Sequence, residues 1–95
     1  MNAKNLSETF AVSLEYDGGS APTVSAKGSG HLAEKIIQIA KDHQIPIKQD
    51  AELTELLSQV EINSQIPSVL YEAVAQVLVF AYQVSGKTPP SPNSA

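Results

Sequence analysis

The stretch TVSAKGSGHLAEKI (residues 23–36) decides the fold class, because a strand-like half leads directly into a helix-like half. Its first four residues are β-branched or small, and Gly28-Ser29-Gly30 then supplies the chemistry of a tight turn. From position 31 the apolar residues recur at the spacing of one helical face, at Leu32, Ile36, Ile39 and Ala40. A strand, a glycine turn and a helix in this order predict an α/β fold.

Upstream of this stretch, residues 10–16 alternate apolar and polar side chains, which predicts a half-buried strand. Residues 17–20 (DGGS) have the composition of a turn, since glycine tolerates positive φ and aspartate bonds back to the backbone. Pro22 follows and lacks an N–H group, so we expect it to mark the start or the edge of the second strand.

Downstream, Ile45-Pro46-Ile47-Lys48 reads as a third short strand, which would complete a right-handed βαβ unit. Asp50 is a plausible N-cap for a second helix with apolar residues at 53, 56, 57 and 60. Residues 68–83 form the most apolar segment and predict a third helix, preceded by Pro67. The prediction is a small single α/β domain, with a mixed sheet of about three strands and three helices packed around it.

The length of 95 residues allows one domain. We expect residues 1–8 to be a flexible N-terminus and residues 9–83 to form the folded domain. Residues 84–95 are rich in Ser and Pro without hydrophobic spacing, which predicts a disordered tail.

Composition argues against several classes of function. The formal net charge is −4 and the six basic residues are scattered lysines, so we expect no nucleic-acid partner. The chain has no Cys, and its two histidines stand at opposite ends of one predicted helix, so we expect no metal. No apolar run approaches the ~20 residues of a membrane-spanning helix, and the N-terminus lacks the apolar core of a secretory signal. We therefore expect a soluble, cytoplasmic protein without direct membrane insertion.

The glycine turn allows an alternative function. Residues 28–33 fit the G-x-G-x-x-A pattern of a dinucleotide-binding turn, and Asp50 follows about twenty positions later. The preceding strand is short and polar, however, and no further strands follow to complete such a fold. We favour a turn whose glycines relieve backbone strain, with no cofactor bound, and keep an anion- or nucleotide-binding domain as the alternative.

Three stretches resemble one protein family: AVSLEYD (residues 11–17), APTVSAKGSGHLAEKI (residues 21–36) and EINSQIPSVLYEAVAQVLVFAY (residues 61–82). Their order and spacing are similar to those of the cytoplasmic C-terminal domain of the type III secretion export-switch proteins, of the FlhB and YscU type. The resemblance extends over about residues 10–82. It implies a role in flagellar protein export and in the substrate-specificity switch.

One departure from the family pattern bears on catalysis. Family members cut themselves between Asn and Pro of an Asn-Pro-Thr-His motif, where the Asn amide attacks its own carbonyl carbon. Here Leu6-Ser7-Glu8-Thr9 occupies the matching positions, and no Asn-Pro pair occurs in the chain. We therefore expect a non-cleaving protein that is not an enzyme, similar to a stand-alone FlhB-like paralogue without the membrane-bound half.

The resemblance also implies a small apolar patch that binds export substrates of the rod and hook class. Carried over by position, its residues are Ala21 and Pro22 before the second strand, with Ala75 and Leu78 on the last helix. The implied partners are these substrates, the membrane-bound FlhB-type protein and other export-gate components. The implied location is the cytoplasm, peripheral at the flagellar export gate. An inhibitor that competes for export substrates is a further alternative.

Overall fold

The computed structural model describes residues 9–86 as two strands and three α-helices. The strands are β1 (Phe10–Glu15) and β2 (Thr23–Ser29), and the helices are α1 (His31–Asp42), α2 (Ala51–Leu57) and α3 (Tyr71–Ser85). A 3₁₀ turn, Ser68–Leu70, leads into α3. The predicted α/β class with three helices is confirmed, whereas the predicted tail at residues 87–95 and N-terminus at residues 1–8 lie outside the described residues.

The sheet differs from the expected one. Among residues 9–86 it has two strands, and β1 pairs with β2 antiparallel, not as part of a mixed sheet of about three strands. Residues 45–50 have no regular secondary structure, so the predicted third strand and the βαβ unit are wrong. Pro46 has no backbone N–H to donate to a neighbouring strand. The outer side of β2 is also occupied at its start, where residues 63–66 form backbone hydrogen bonds with it.

The core forms where α2 and α3 meet the sheet. Leu53 and Leu57 from α2, Val74 from α3 and Ile66 from the preceding loop make one buried cluster. Partly buried apolar residues surround it: Val12, Leu14, Leu70, Val77 and Leu78. Of the apolar positions that predicted α2, Leu53 and Leu57 are buried, whereas Leu56 is 44% exposed and α2 ends before Val60.

Helix ends follow their local chemistry. The Asp50 carboxylate accepts a hydrogen bond from the Leu53 N–H at 3.0 Å, which confirms the predicted N-cap of α2. Gly86 ends α3 in the left-handed conformation at φ 76°. α3 therefore extends two residues into the segment that was predicted to be disordered from position 84.

The segment Ser68–Ser85 is long and apolar enough to cross a membrane by those two criteria, with a mean hydropathy of 1.2. Central helices of globular proteins satisfy the same criteria, but most of their residues are buried. Here 6% of the residues in the segment are buried. Val74 is the fully buried residue of α3, and Val77 and Leu78 pack partly buried against the core.

Candidate functional site

Backbone hydrogen bonds between residues 63–66 and residues 22–24, called here the clasp, join the segment before α3 to the start of β2. The Ile66 N–H donates to the Pro22 carbonyl at 3.0 Å, and the Val24 N–H donates to the Ser64 carbonyl at 3.2 Å. The Ile66 side chain is 2% exposed and anchors this segment in the core. Because the 3₁₀ turn and α3 follow directly, the clasp places the first turns of α3 beside the loop that contains Pro22.

An apolar concavity, the α3 pocket, opens between that loop and the helix. Its volume is about 140 Å³. The residues that line it are Tyr16, Pro22, Tyr71, Val74, Ala75 and Leu78. None of these side chains is charged, so the pocket suits an apolar group with at most a hydroxyl contact at its edge.

Three of the four residues predicted to bind a substrate meet in this pocket. Pro22 contributes from the loop, and Ala75 and Leu78 contribute from α3. Ala21 is half-buried and precedes Pro22, but it does not line the pocket. Binding of a substrate by these residues stays a prediction.

Leu78 has two structural roles. It packs against the buried cluster and also lines the α3 pocket, and its side chain is only partly buried. Ala75 is exposed, and its small side chain leaves space between the helix and the loop. Leu78 therefore contributes to the floor of the pocket and to stability, whereas Ala75 contributes chiefly to its shape.

Sequence patterns did not indicate Tyr16, Tyr71 and Val74 as pocket residues. Tyr16 follows the last residue of β1, and Tyr71 is the first residue of α3, so each lies at the end of an element that meets the Pro22 loop. The sequence carries no signal for this, because their proximity depends on how β1 and α3 are arranged in the fold. Val74 is 1% exposed and forms the back of the pocket from the core side.

The glycine turn has a packing explanation. A Cβ atom on Gly28 would collide with the Leu32 side chain, whose Cδ2 atom lies 2.7 Å from the Cβ position. Gly30 has φ 59° and ψ −128°, a conformation that favours glycine, and directly precedes α1. Both glycines are thus accounted for by the passage from β2 into α1, and Asp50, the acid of the nucleotide-binding pattern, caps α2.

Titratable residues show no catalytic arrangement within residues 9–86. No group of three His, Cys, Asp or Glu side chains there is placed to hold a metal ion. His31 Nδ1 lies 3.5 Å from Glu34 Oε1 on the exposed start of α1. The backbone N–H groups of Gly19 and Ser20 lower the pKa of Asp17 below its usual value, as expected for the acceptor in an Asx turn.

Comparison with known proteins identifies the family. The family model described as "FlhB HrpN YscU SpaS Family" matches residues 7–81. The chain belongs to the FlhB HrpN YscU SpaS family. This confirms the resemblance that residues 11–17, 21–36 and 61–82 had indicated.

Relatives within this family include both short and long proteins. The chain is 43% identical over 76 residues to an uncharacterized protein, YlqH, of Bacillus subtilis, which covers 78% of this chain and 82% of YlqH. It is 38% identical over 94 residues to the flagellar biosynthetic protein FlhB of Salmonella typhimurium, covering 90% of this chain and 24% of FlhB. The chain thus spans about a quarter of the length of that FlhB.

Solved structures of family members share the fold. The C-terminal domain of EscU carrying Y316D has a TM-score of 0.74 and 28% identity, covering 78% of this chain and 93% of that one. The PscU C-terminal domain has a TM-score of 0.70 and 29% identity, covering 76% and 95%. The chain therefore shares the fold of the EscU and PscU C-terminal domains over about three quarters of its length.

Proposed function

We propose that the chain is a non-catalytic export-switch module of a flagellar type III secretion system, acting on the cytoplasmic side of the export gate. In this proposal it binds export substrates of the rod and hook class through the α3 pocket. The observation that supports the proposal is that Pro22, Ala75 and Leu78, which the family resemblance implied, line one apolar concavity.

The size of the α3 pocket limits how tightly it binds. A volume of about 140 Å³ accommodates one large apolar side chain, not a folded surface. Burial of one such side chain contributes roughly 1.5–3 kcal/mol, which is too little for a long-lived complex by itself. A short apolar anchor in an unfolded segment would therefore bind and leave rapidly, as an export component requires of its cargo.

The membrane-bound relative is the second partner in this proposal. The chain matches about a quarter of the length of Salmonella FlhB, so it would support or replace the C-terminal part of such a protein. β1 pairs with β2 on one side only within residues 9–86. An edge strand of this kind adds readily to a strand from another chain, and β1 is the element that would dock.

The first experiment titrates the labelled chain with a peptide from a rod or hook substrate and follows amide shifts by NMR. We expect shifts around Pro22 and Ala75 in the wild type and no binding by Ala75→Asp, since a carboxylate would enter an apolar pocket. The matched control is Ala73→Asp, because Ala73 is also exposed on α3 but does not line the pocket.

Two outcomes would contradict the proposal. Ala73→Asp and Ala75→Asp weakening binding equally would show that the pocket does not recognise the peptide. Shifts confined to residues 28–31 on addition of NAD, without any response to the peptide, would favour the anion- or nucleotide-binding alternative.

A second experiment tests the role in export. The chain is expressed in cells whose FlhB lacks its C-terminal part, and motility is scored. Restored motility supports substitution for that part. Unchanged motility there, combined with reduced motility in cells that carry intact FlhB, would favour the competing inhibitor.

A further inference from the structure

The outward side of α3 forms a second surface, which shares Ala75 with the α3 pocket. It is a shallow trough of about 430 Å³, called here the outer trough. Its lining residues are Glu72, Ala75, Gln76, Val79, Phe80 and Gln83. They follow the spacing of one helical face, and the buried Val74 lies on the opposite face. α3 therefore has a core side and an outer side that combines three apolar residues, Ala75, Val79 and Phe80, with the polar residues Glu72, Gln76 and Gln83.

The outer trough is unusually exposed for its composition. Val79 is 48% exposed, and Ala75 is exposed as well. Exposed apolar side chains bordered by polar ones commonly mark a binding surface. Its only charge is the carboxylate of Glu72, and α3 contains no Lys or Arg, so an anionic membrane surface is a poor match.

We propose that the outer trough binds the outer trough of a second copy of this chain, with the two α3 helices antiparallel around a twofold axis. With the axis at the level between Val77 and Leu78, Gln76 of each copy is level with Val79 of the other. Glu72 is likewise level with Gln83 of the second copy. A self-complementary surface is what a twofold dimer requires.

Side-chain sizes suit this arrangement. Ala75 lies at one border of the outer trough and Phe80 at the other. The small alanines allow the helices to approach on one side, while the Phe80 rings of the two copies meet on the other. The polar Gln76 and Gln83 side chains supply hydrogen-bonding groups along the seam.

Charge complementarity favours a second copy over other occupants. The Lys48 Nζ atom lies 5.5 Å from the centroid of the Phe80 ring, so a cation borders one end of the outer trough. Glu72 lies at the other end of the same trough. Antiparallel pairing brings Glu72 of each copy towards Lys48 of the other, so the opposite charges meet twice.

The contact is limited to one helix pair and the Lys48 loop. Stable interfaces bury about 800 Å² on each partner, which is more than one helix face of this length provides. The dimer is therefore weak and depends on protein concentration, so it must be measured at high concentration.

The test is sedimentation velocity of the full chain between about 10 μM and about 1 mM, which covers weak self-association. We expect the wild type to shift from monomer to dimer over this range. Val79→Glu should raise the dissociation constant at least about tenfold by placing a carboxylate in the seam. Val84→Glu is the matched control, since Val84 is 60% exposed on the same helix but outside the outer trough.

A charge exchange provides a second test. Glu72→Lys and Lys48→Glu should each weaken the dimer, and the double variant should restore it, because the opposite charges meet again with their positions exchanged. A double variant weaker than both single variants would overturn the proposed pairing, as would a wild type that stays monomeric at all concentrations. Monomeric wild type that binds phosphatidylserine vesicles, with loss of binding in Val79→Glu, would also overturn it and assign the face to membranes.

The experiments that test the dimer can fail or succeed separately from those that test the proposed function. Val79 does not line the α3 pocket, so peptide binding by Val79→Glu should equal that of the wild type. Failure of dimerisation would leave peptide binding unaffected, and failure of peptide binding would leave the sedimentation result unaffected.

Discussion

The Lys27 side chain ties the end of β2 to the end of α2: its Nζ atom lies 2.9 Å from the carbonyl oxygen of Val60. The same atom donates to the carbonyl of Ser58 at 3.0 Å. The Ser58 carbonyl belongs to the C-cap of α2, where helical carbonyl groups lack intrahelical partners, and the Val60 carbonyl lies two residues further along the loop. This contact links the sheet to the loop that leads towards α3.

Lys27→Met should therefore destabilise the domain. Methionine keeps an unbranched apolar side chain but leaves both partly buried carbonyls without their donor, which we expect to cost about 1–2 kcal/mol. Urea unfolding followed by circular dichroism measures the change. Lys35→Met is the matched control, because Lys35 is exposed on α1, and an equal loss in both variants would contradict a specific role for Lys27.

Gly28→Ala should also destabilise the domain, since Leu32 occupies the space that a Cβ atom needs. Leu32 is 53% exposed and can turn towards solvent, so displacing it should cost about 0.5–1.5 kcal/mol. The double variant Gly28→Ala with Leu32→Ala should recover most of the loss, because the colliding atoms are gone. Gly19→Ala is a suitable control, since its Cβ would meet its nearest atom at an ordinary 3.8 Å.

If the glycines served to bind a ligand and not to make space for Leu32, the stability measurements should differ from those just described. Gly28→Ala would then leave the midpoint of unfolding unchanged, and the Leu32→Ala exchange would recover nothing. A thermodynamic cycle over the four proteins separates the two explanations through the coupling energy between positions 28 and 32.

The sequence predicted correctly those elements that depend on interactions between residues close together in the chain. The apolar spacing from Leu32 onward gave α1, and Asp50 was identified as the cap of α2 because its bond partner lies three residues away. The expected strand at residues 45–48 failed because pairing depends on whether the fold brings the segment beside a sheet edge, which is a non-local property. The clasp at residues 63–66 was not anticipated, since Asn, Ser and Gln carry little strand preference.

The candidate site likewise contains residues that could be predicted from the sequence and residues that could not. Pro22, Ala75 and Leu78 were available from family resemblance, and the clasp explains physically why residues so distant in the chain meet. Tyr16 and Tyr71 could not be assigned, because their proximity depends on how β1 ends relative to α3. Only the tertiary arrangement supplies that information.

Leu78→Ala should separate the structural from the binding role of the α3 pocket. Leu78 packs on the core cluster, so the variant should lose roughly 1–2 kcal/mol, less than a fully buried leucine because part of its surface already contacts water. Ala75→Asp, at an exposed position inside α3, should lose about 0.7 kcal/mol, the difference in helix propensity between alanine and aspartate. Thermal melts of both variants, compared with the wild type, test this difference. Equal losses would place Ala75 in the core as well.

Self-cleavage should be absent from the chain. Leu6 stands where family members have the attacking Asn, and its side chain has no amide nitrogen that could attack the carbonyl carbon. Intact-mass spectrometry after prolonged incubation at neutral pH should find a single species of the full 10.1 kDa chain. Fragments that arise from a break between positions 6 and 7 would contradict the prediction.

Asp17 should titrate below the usual range of an aspartate. Its Oδ1 atom accepts from the Gly19 N–H at 2.9 Å and from the Ser20 N–H at 3.2 Å, and these bonds favour the charged carboxylate. Because the folded pKa is lowered, the stabilisation is complete above the unfolded pKa. It is lost as the pH falls through the folded pKa, in the acid range below about pH 4.

NMR titration of the Asp17 carboxyl carbon measures this pKa directly, and the Gly19 amide shift should follow the same midpoint. The chain unfolded in urea is the reference, and its Asp17 should titrate at a higher pH than in the folded protein. Asp17→Asn should remove this midpoint from the Gly19 amide, since an asparagine amide accepts hydrogen bonds without titrating. A folded midpoint equal to the unfolded one would show that the turn at residues 17–20 does not form in solution.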